Sequence, residues 1–454
     1  MTSDVPANTE MTVDEDFQYA VRLHQEGRLA GAVELYRRLL DVAPGHPDAL
    51  HLFGMALHQL GQSENGIRQI EQAIRVRPDF AGFHNNLGNI HASLGQVEHA
   101  RDNYLRATAL DPALADSHNN LGVLYRMTGA NDLAESEYWC AINLDPSHYR
   151  AYNNLGMLEA ARGNIELAVR HYCTSITLSP RQDDGHKLLG TALYSLGRIE
   201  EAAEVYRQWL EKDPSSPVAR HHLAACSGAD IPDRAPDDYV EHLFDRFAES
   251  FEEQLQTRLS YRAPELVATA LSRTLPAAAT QFDVLDVGCG TGLCGPLLRP
   301  WAAQLTGVDL SVGMLQQAEA KGCYDQLYKI ELTEFLNRAE QAGNWDLIIS
   351  ADTLCYFGPL EGVLAAASHA LRPAGWLAFS VEDAGELAAQ PGYRLNPHGR
   401  FAHTHAYPQR TLIESGFEVA SIDSVTLRTE GGKPVLGWVV VGRPVQSAQT
   451  QGSS

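Results

Sequence analysis

The 454-residue sequence predicts a multidomain chain, with an all-α tandem repeat in the amino-terminal half and an α/β domain on a parallel sheet behind it. Three observations carry this expectation. Glycine and proline recur at a fixed step through the first half. Short apolar runs alternate with helical patterns through the second. At the first of those runs an aspartate precedes a glycine-rich turn, Asp286-Val-Gly-Cys-Gly-Thr-Gly292.

The recurrence sets the first architecture. Glycines stand at 27, 61, 95, 129, 163 and 197, and prolines at 44, 78, 112, 146, 180 and 214, both at a step of 34 residues. That is the tetratricopeptide period, one pair of antiparallel helices per unit. The glycine allows the tight turn within a unit and the proline stops its second helix. Small residues (Gly54, Gly88, Gly122, Gly156, Gly190 in the first helix; Ala32, Ala100, Ala134, Ala168, Ala202 in the second) let paired helices approach closely. Tyr36, Tyr104, Tyr138, Tyr172 and Tyr206 fill the seam. Residues 13–227 are therefore expected to form an all-α solenoid of six repeats plus a closing helix at 218–225, behind a flexible tail at 1–12.

A solenoid is a binding surface without chemistry of its own. Its concave face is expected to carry Asn86, Asn120 and Asn154, each preceded by another asparagine. This array resembles the asparagine ladder in the repeats of protein O-linked N-acetylglucosamine transferases, which implies a protein or peptide partner. The alternative is that Asn-Asn-Leu-Gly is ordinary vocabulary of such repeats. Histidines 51, 84, 118 and 186 near the same faces are a repeat or more apart, too far to share one ion.

Residues 228–238, rich in glycine, proline and aspartate, predict a linker, and 239–454 a second domain. Leu243, Phe247, Phe251 and Leu255 then mark an amphipathic helix. The acids around it, including Glu241 and Asp245, make it a flank or lid and not a membrane-lying helix. Strand-like runs at 282–287, 305–308, 345–350 and 375–381, with a weaker one at 326–330, alternate with helical patterns. This is the signature of a parallel, doubly wound sheet. Runs at 417–427 and 435–442 add a terminal antiparallel hairpin.

Asp286 and Asp309 separate the two obvious ligands of such a sheet. An acid about 20 residues past a glycine-rich turn is placed to bind ribose hydroxyls, and Asp309 has that place. Asp286, beside the turn, would repel a pyrophosphate and attract an ammonium or sulfonium, which favours S-adenosylmethionine over NAD. Gly290-Thr-Gly-Leu-Cys-Gly295 also fits the dinucleotide pattern G-x-G-x-x-G, but begins two residues late for a strand ending at Val287. A turn without a ligand is the remaining alternative.

From about Tyr239 onward the chain resembles class I S-adenosylmethionine-dependent methyltransferases, whose domain is Rossmann-like. The motifs are 286–292, Gly307-Val-Asp-Leu-Ser311 with Met314, and Leu371-Arg-Pro-Ala-Gly-Trp-Leu377. With the repeats in front, the chain resembles a bacterial group of tetratricopeptide-containing methyltransferases, to which Phe244-Asp-Arg-Phe-Ala248 and Gly399-Arg-Phe-Ala-His-Thr404 also correspond. The resemblance implies that Asp309, with Leu310 and Met314, takes the ribose side of S-adenosyl-L-methionine. Gly288, Gly290 and Gly292 pass its methionine end, Asp286 holds its ammonium directly or through water, and Asp352 ends the fourth strand beside it. Glu331 and Leu332 take the adenine, with glutamate where the family usually has aspartate.

Methyl transfer from a sulfonium is an in-line displacement, in which proximity supplies much of the acceleration. Asp352-Thr-Leu-Cys-Tyr-Phe-Gly358 lacks the pattern that goes with methylation of planar nitrogens. The acceptor-side candidates are His403 as a base, Arg400 to orient a carboxylate, and Tyr356. His403 and His405 have no third ligand in view, so no metal is expected. A net charge of −22 argues against nucleic acid and anionic membranes as partners. Seven cysteines without metal or disulfide spacing, and a polar start without an apolar run, point to a cytoplasmic protein. Three functions stay open: a methyltransferase whose repeats recruit a protein or peptide, a small-molecule methyltransferase whose repeats serve assembly, and a cofactor-binding scaffold without turnover.

Overall fold

The computed structural model describes residues 13–181, 183–245, 248, 260–276, 281–386, 391–430 and 433–445. The expected tail at 1–12 and Phe247, Phe251 and Leu255 of the expected amphipathic helix lie outside them. The chain forms two compact units, 1–196 and 197–454.

The first unit is a run of helix pairs: α1 (Val13–Gln25), α2 (Leu29–Val42), α3 (Pro47–Gln59), α4 (Ser63–Val76), α5 (Ala81–Ser93), α6 (Val97–Leu110), α7 (Ala115–Met127), α8 (Asn131–Leu144), α9 (Tyr149–Ala161), α10 (Ile165–Leu178) and α11 (Asp183–Ser195). From Gly27 to Gly163 every turn glycine has φ between 68° and 83°, the left-handed conformation that closes a helix cheaply only without a side chain. The small and large positions meet as the repeat requires. A Cβ on Gly156 would lie 2.4 Å from the ring of Tyr172, and one on Gly88 2.6 Å from Tyr104. In the second repeat, where isoleucine replaces the tyrosine, backbone meets backbone: a Cβ on Gly54 would lie 2.6 Å from the Gly66 carbonyl oxygen.

The second unit begins with α12 (Ile199–Lys212) and α13 (Pro217–Ser227). Ser216 caps α13 by accepting from the Ala219 amide, and Gly228, at φ 69°, ends it. α14 (Asp237–Asp245) and α15 (Ala263–Thr274) lead into a nine-stranded sheet. Its elements are β1 (Phe282–Val287), α16 (Gly295–Leu298), β2 (Ala302–Asp309), α17 (Val312–Ala320), β3 (Gln326–Lys329), α18 (Leu332–Leu336), β4 (Trp345–Ser350), α19 (Glu361–Ala370) and β5 (Leu371–Asp383). Then follow β6 (Tyr393–Leu395), β7 (Phe401–His403), α20 (Ala406–Glu414), β8 (Phe417–Glu430) and β9 (Lys433–Pro444).

Strands β3-β2-β1-β4-β5 are parallel neighbours. β9 runs antiparallel to β5, and β8 to β9, which is the expected terminal hairpin. The fold is thus a helical repeat followed by a Rossmann-like α/β domain. Val284, Leu305, Leu347, Ile349, Val439 and Val441, all inaccessible to solvent, form the core on one face of the sheet. The strand order reverses between β1 and β4, so their carboxyl ends open a crevice of the kind that binds ligands in such sheets. Among the described residues no helix is long and apolar enough to cross a membrane.

Candidate functional site

The crevice is a cleft whose lining includes Gly288, Gly290, Asp309, Leu310, Met314, Glu331, Leu332, Asp352, Tyr356 and Arg400. Its base is the turn after β1. The amides of Gly288 and Cys289 both donate to the Val308 carbonyl, at 2.8 and 3.0 Å. Gly288 has φ 73°, and a Cβ there would lie 2.2 Å from Thr353 Oγ1. Only glycine lets the ends of β1 and β4 come this close. Gly292, though in the same turn, is turned to Tyr324 and Ala318 and does not line the cleft.

Asp309 ends β2 at the rim. Its Oδ2 accepts from the Gly290 amide and its Oδ1 from the Ser311 amide, both at 2.9 Å. Burial raises its pKa, and those bonds oppose the rise. Glu331 caps α18, accepting from the Glu334 amide through Oε2 at 2.8 Å, while its buried Oε1 has no partner among the described residues.

Asp286 stands elsewhere. It is inaccessible to solvent beneath the turn, Oδ2 accepts from the Tyr324 hydroxyl at 2.6 Å, and it is absent from the cleft wall. The expected direct grip on a cofactor ammonium is therefore corrected: at the buried carboxyl end of β1 the side chain meets Tyr324 and does not line the cleft. Burial pushes its carboxyl up to about 7, against the Tyr324 bond.

The wall opposite the glycine turn is a buried charge cluster. Arg428, from β8, is 1 % exposed and donates to Asp352 at 3.0 Å, to Glu430 at 2.7 Å and to Glu382. Arg400 donates to Glu430 at 2.9 Å and lies 3.6 Å from Glu382. Burial alone would raise Glu430, but Arg400 and Arg428 pull it down to about 2. Asp352, raised by burial against the pull of Arg428, has φ 57°, a strained conformation for a residue with a side chain. Burial pushes the phenols of Tyr261 and Tyr356 well above their usual value, so both are hydrogen-bond donors.

His403 is a second correction. It lies in β7 and not on a loop, is inaccessible to solvent, and does not line the cleft. Its Nε2 donates to the Gly358 carbonyl at 2.9 Å, its ring stacks on Tyr407, and burial lowers its pKa to about 4. His405 is exposed at the start of α20, its ring edge-on to Trp438.

The segment before the sheet closes the cleft from above, through Arg234, Ala235, Val240, Phe244 and Tyr261. It is tied down by the Ala235 amide donating to the Tyr356 carbonyl at 2.8 Å and by Lys329 with Glu241 at 2.6 Å. Asp245 accepts from Ser311 Oγ and, at 3.2 Å, from the Gly313 amide. Tyr261 and Arg428 were not singled out from sequence. Arg428 is one of three buried residues in a strand that is otherwise half-buried or exposed, so no local pattern marked it.

In the repeats, the three asparagines are bonded to neighbouring units. Asn120 Nδ2 donates to Asn85 and Asn89, both at 3.0 Å, and Asn154 Nδ2 to Asn119 at 2.9 Å. Asn86 Nδ2 meets His51 Nε2 at 2.9 Å. Asn120 thereby spends both amide hydrogens inside the array, and Asn86 and Asn154 one each.

Comparison with known proteins agrees with this architecture. Residues 251–420 match the methyltransferase domain family, and 47–80, 88–129 and 154–217 match tetratricopeptide repeat families. Methyltransferase-like protein 27 of Homo sapiens is 42 % identical over 118 residues, covering 26 % of this chain and 46 % of the relative. A ubiquinone biosynthesis O-methyltransferase of Bordetella avium is 29 % identical over 142 residues, covering 29 % of this chain and 58 % of the relative. A malonyl-[acyl-carrier protein] O-methyltransferase of Acetivibrio thermocellus is 35 % identical over 108 residues, 22 % of this chain and 36 % of the relative. The chain thus spans about half the length of the curated relatives it matches, or less. Among solved structures, PilW, a type IV pilus biogenesis factor, aligns at a TM-score of 0.41 with 19 % identity, over 46 % of this chain and 96 % of that one. The chain carries tetratricopeptide repeats followed by a methyltransferase domain.

Proposed function

We propose that this protein is an S-adenosylmethionine-dependent methyltransferase whose repeats recruit a protein or peptide, as substrate or as partner. The observation that carries the cofactor reading is the donor and acceptor set of the cleft. Asp309 accepts from the Gly290 and Ser311 amides, with the Leu310 amide also acting on it, and the roughly four lone-pair sites of a carboxylate leave acceptor capacity for a ribose hydroxyl. Glu331 Oε1, buried without a partner among the described residues, is an acceptor for an exocyclic amine. The bare backbone at Gly288 and Gly290 leaves the floor open. The residues present therefore fit the group.

Bound in this cleft, S-adenosylmethionine supplies a methyl group activated by its sulfonium. The chain's own part is to bind, orient and exclude water. Tyr261, Phe244 and Val240 cover the site. Tyr356 and Arg400 face the acceptor side as a hydroxyl donor and a guanidinium. Among the described residues Arg400 uses Nη1 toward Glu430 and Glu382, which leaves Nε and Nη2 to orient an oxyanion. With His403 withdrawn into the core, no histidine lines the cleft among the described residues. This favours an acceptor oxygen that is already ionised, for which no base is required.

A second reading has its own support. The asparagine amides are largely committed between repeats, and two relatives are named as a ubiquinone biosynthesis O-methyltransferase and a malonyl-[acyl-carrier protein] O-methyltransferase. On this reading the acceptor is a small molecule or a carried acyl group, and the repeats serve assembly. Labelled methyl transfer from S-adenosylmethionine into fractionated cell lysate separates the two, comparing the full chain with a form beginning at Gly197. Label in protein that disappears without the first unit supports recruitment. Label in small molecules with both forms supports the second reading, and no label above an Asp309→Ala control sinks both.

A further inference from the structure

The turn that carries Arg400 is built against the closing helix of the repeats. The Asn396 amide donates to the Arg400 carbonyl at 2.9 Å and the Gly399 amide to the Asn396 carbonyl at 2.8 Å, so 396–400 closes a tight loop between β6 and β7. Gly399 takes φ 92°, and a Cβ there would lie 2.7 Å from the Tyr239 hydroxyl and 3.2 Å from the ring of His222. The loop is thus pressed against α13 and α14 at the one residue small enough to allow it.

Hydrogen bonds complete the hold. His221, 1 % exposed, donates from Nε2 to the Gly399 carbonyl at 2.8 Å. A carbonyl can only be met by an N–H, which fixes the Nε2-protonated ring, and burial keeps that ring's pKa low. His222 Nδ1 lies 3.4 Å from the Pro397 carbonyl. Aromatic contacts hold both rings: His221 against Tyr239, with centroids 4.3 Å apart, and His222 stacked on Tyr206 of α12 at 5.2 Å. Immediately after the clamped carbonyl, Arg400 enters the cleft.

We propose that His221 is a positioning residue for the methyl acceptor: it pins the 396–400 turn to α13, and the turn presents Arg400 to the acceptor. The proposal rests on the methyl-transfer reading above and adds to it that the closing helix α13 supports, from behind, the turn that brings Arg400 to the acceptor site. The glycine turn and Asp309, which serve the cofactor, lie on other elements and are untouched by this hold.

The test uses the full-length His221→Phe and His221→Gln variants. Phenylalanine keeps the ring contact with Tyr239 and removes the N–H; glutamine restores an N–H. Hydrogen exchange at the amides of Asn396 and Gly399, read by mass spectrometry, should quicken about tenfold in His221→Phe, as expected for one lost hydrogen bond. S-adenosylhomocysteine affinity, by calorimetry, should be unchanged. Labelled methyl transfer into the lysate fraction that the wild-type protein modifies should fall, with acceptor KM raised and cofactor KM constant, and His221→Gln should recover both exchange and transfer. Unchanged exchange in His221→Phe, unchanged transfer, a parallel loss of S-adenosylhomocysteine affinity, or failure of glutamine to rescue would each overturn the proposal. A wild-type protein that transfers no label overturns the methyl-transfer reading itself, whatever the turn does.

Discussion

Asp309 and Asp286 are both acids at strand ends, and their surroundings give them different work. Asp309 lines the cleft and is held there by backbone amides. Asp309→Ala removes charge-assisted hydrogen bonds worth roughly 1.5–3 kcal/mol each, and should weaken S-adenosylhomocysteine binding by at least about tenfold. Unaltered affinity in calorimetry would refute the ribose assignment. Asp286 is sealed beneath the turn with a folded-state pKa near 7, well above that of an unfolded aspartate. The sign follows from linkage: this stability is fully present below the unfolded pKa and is lost as pH rises from about 4 to about 7. Asp286→Asn cannot ionise, so its melting temperature relative to wild type should climb across that window and level off above it. A difference independent of pH would mean that Asp286 is not held protonated.

Larger assemblies of polar groups govern the elements. Arg428 bridges three carboxylates from three segments, Asp352, Glu382 and Glu430, and shares the last two with Arg400. Replacing it with methionine would leave the buried Asp352 without its ion-pair partner, while Arg400 still reaches Glu382 and Glu430, a loss of about 3–5 kcal/mol, read as a lowered denaturation midpoint. An unchanged midpoint would show Asp352 to be neutral in the folded protein. In the repeats Asn120 bonds two asparagines of the preceding unit. Because Asn85 and Asn89 keep Ser117 and Tyr104 as donors, Asn120→Ala should cost about 0.5–1.5 kcal/mol for each hydrogen bond lost, measured by thermal unfolding; a cost near zero would return the ladder to ligands. These elements also show what was legible in the sequence. The 34-residue step gave helix boundaries because the same glycine and proline geometry is reused in every unit. β1, β4 and β9 were legible as apolar runs and Asp309 from its spacing to the glycine turn, whereas Glu331 was expected only from the resemblance to class I methyltransferases. β6 and β7, of three residues each, are too short for any periodicity. The burial of His403 and Asp286 and the pairing of Arg428 depend on which strands become neighbours, which no local pattern encodes.

At the scale of the whole molecule, the division falls at 196/197, inside the sixth repeat and well before the glycine- and proline-rich segment. α12 and α13 therefore count with the cofactor domain, and stability should follow that division. A ligand that binds only the folded second unit stabilises it by RT ln(1 + [L]/Kd). S-adenosylhomocysteine at a hundredfold excess over Kd should raise that unit's midpoint by about 5–10 °C. The first unit has no part in the cleft lining, so its midpoint should stay fixed. Differential scanning calorimetry resolves the two transitions, and Asn120→Ala, which lowers only the first, assigns them. Hydrogen exchange then locates the boundary: ligand should protect amides of α12 and α13 together with β1 and β4, and leave α1 to α10 unaffected. Protection that stops at residue 228 would place the functional boundary at the glycine- and proline-rich segment, and a single transition that shifts as a whole would make the chain one cooperative body.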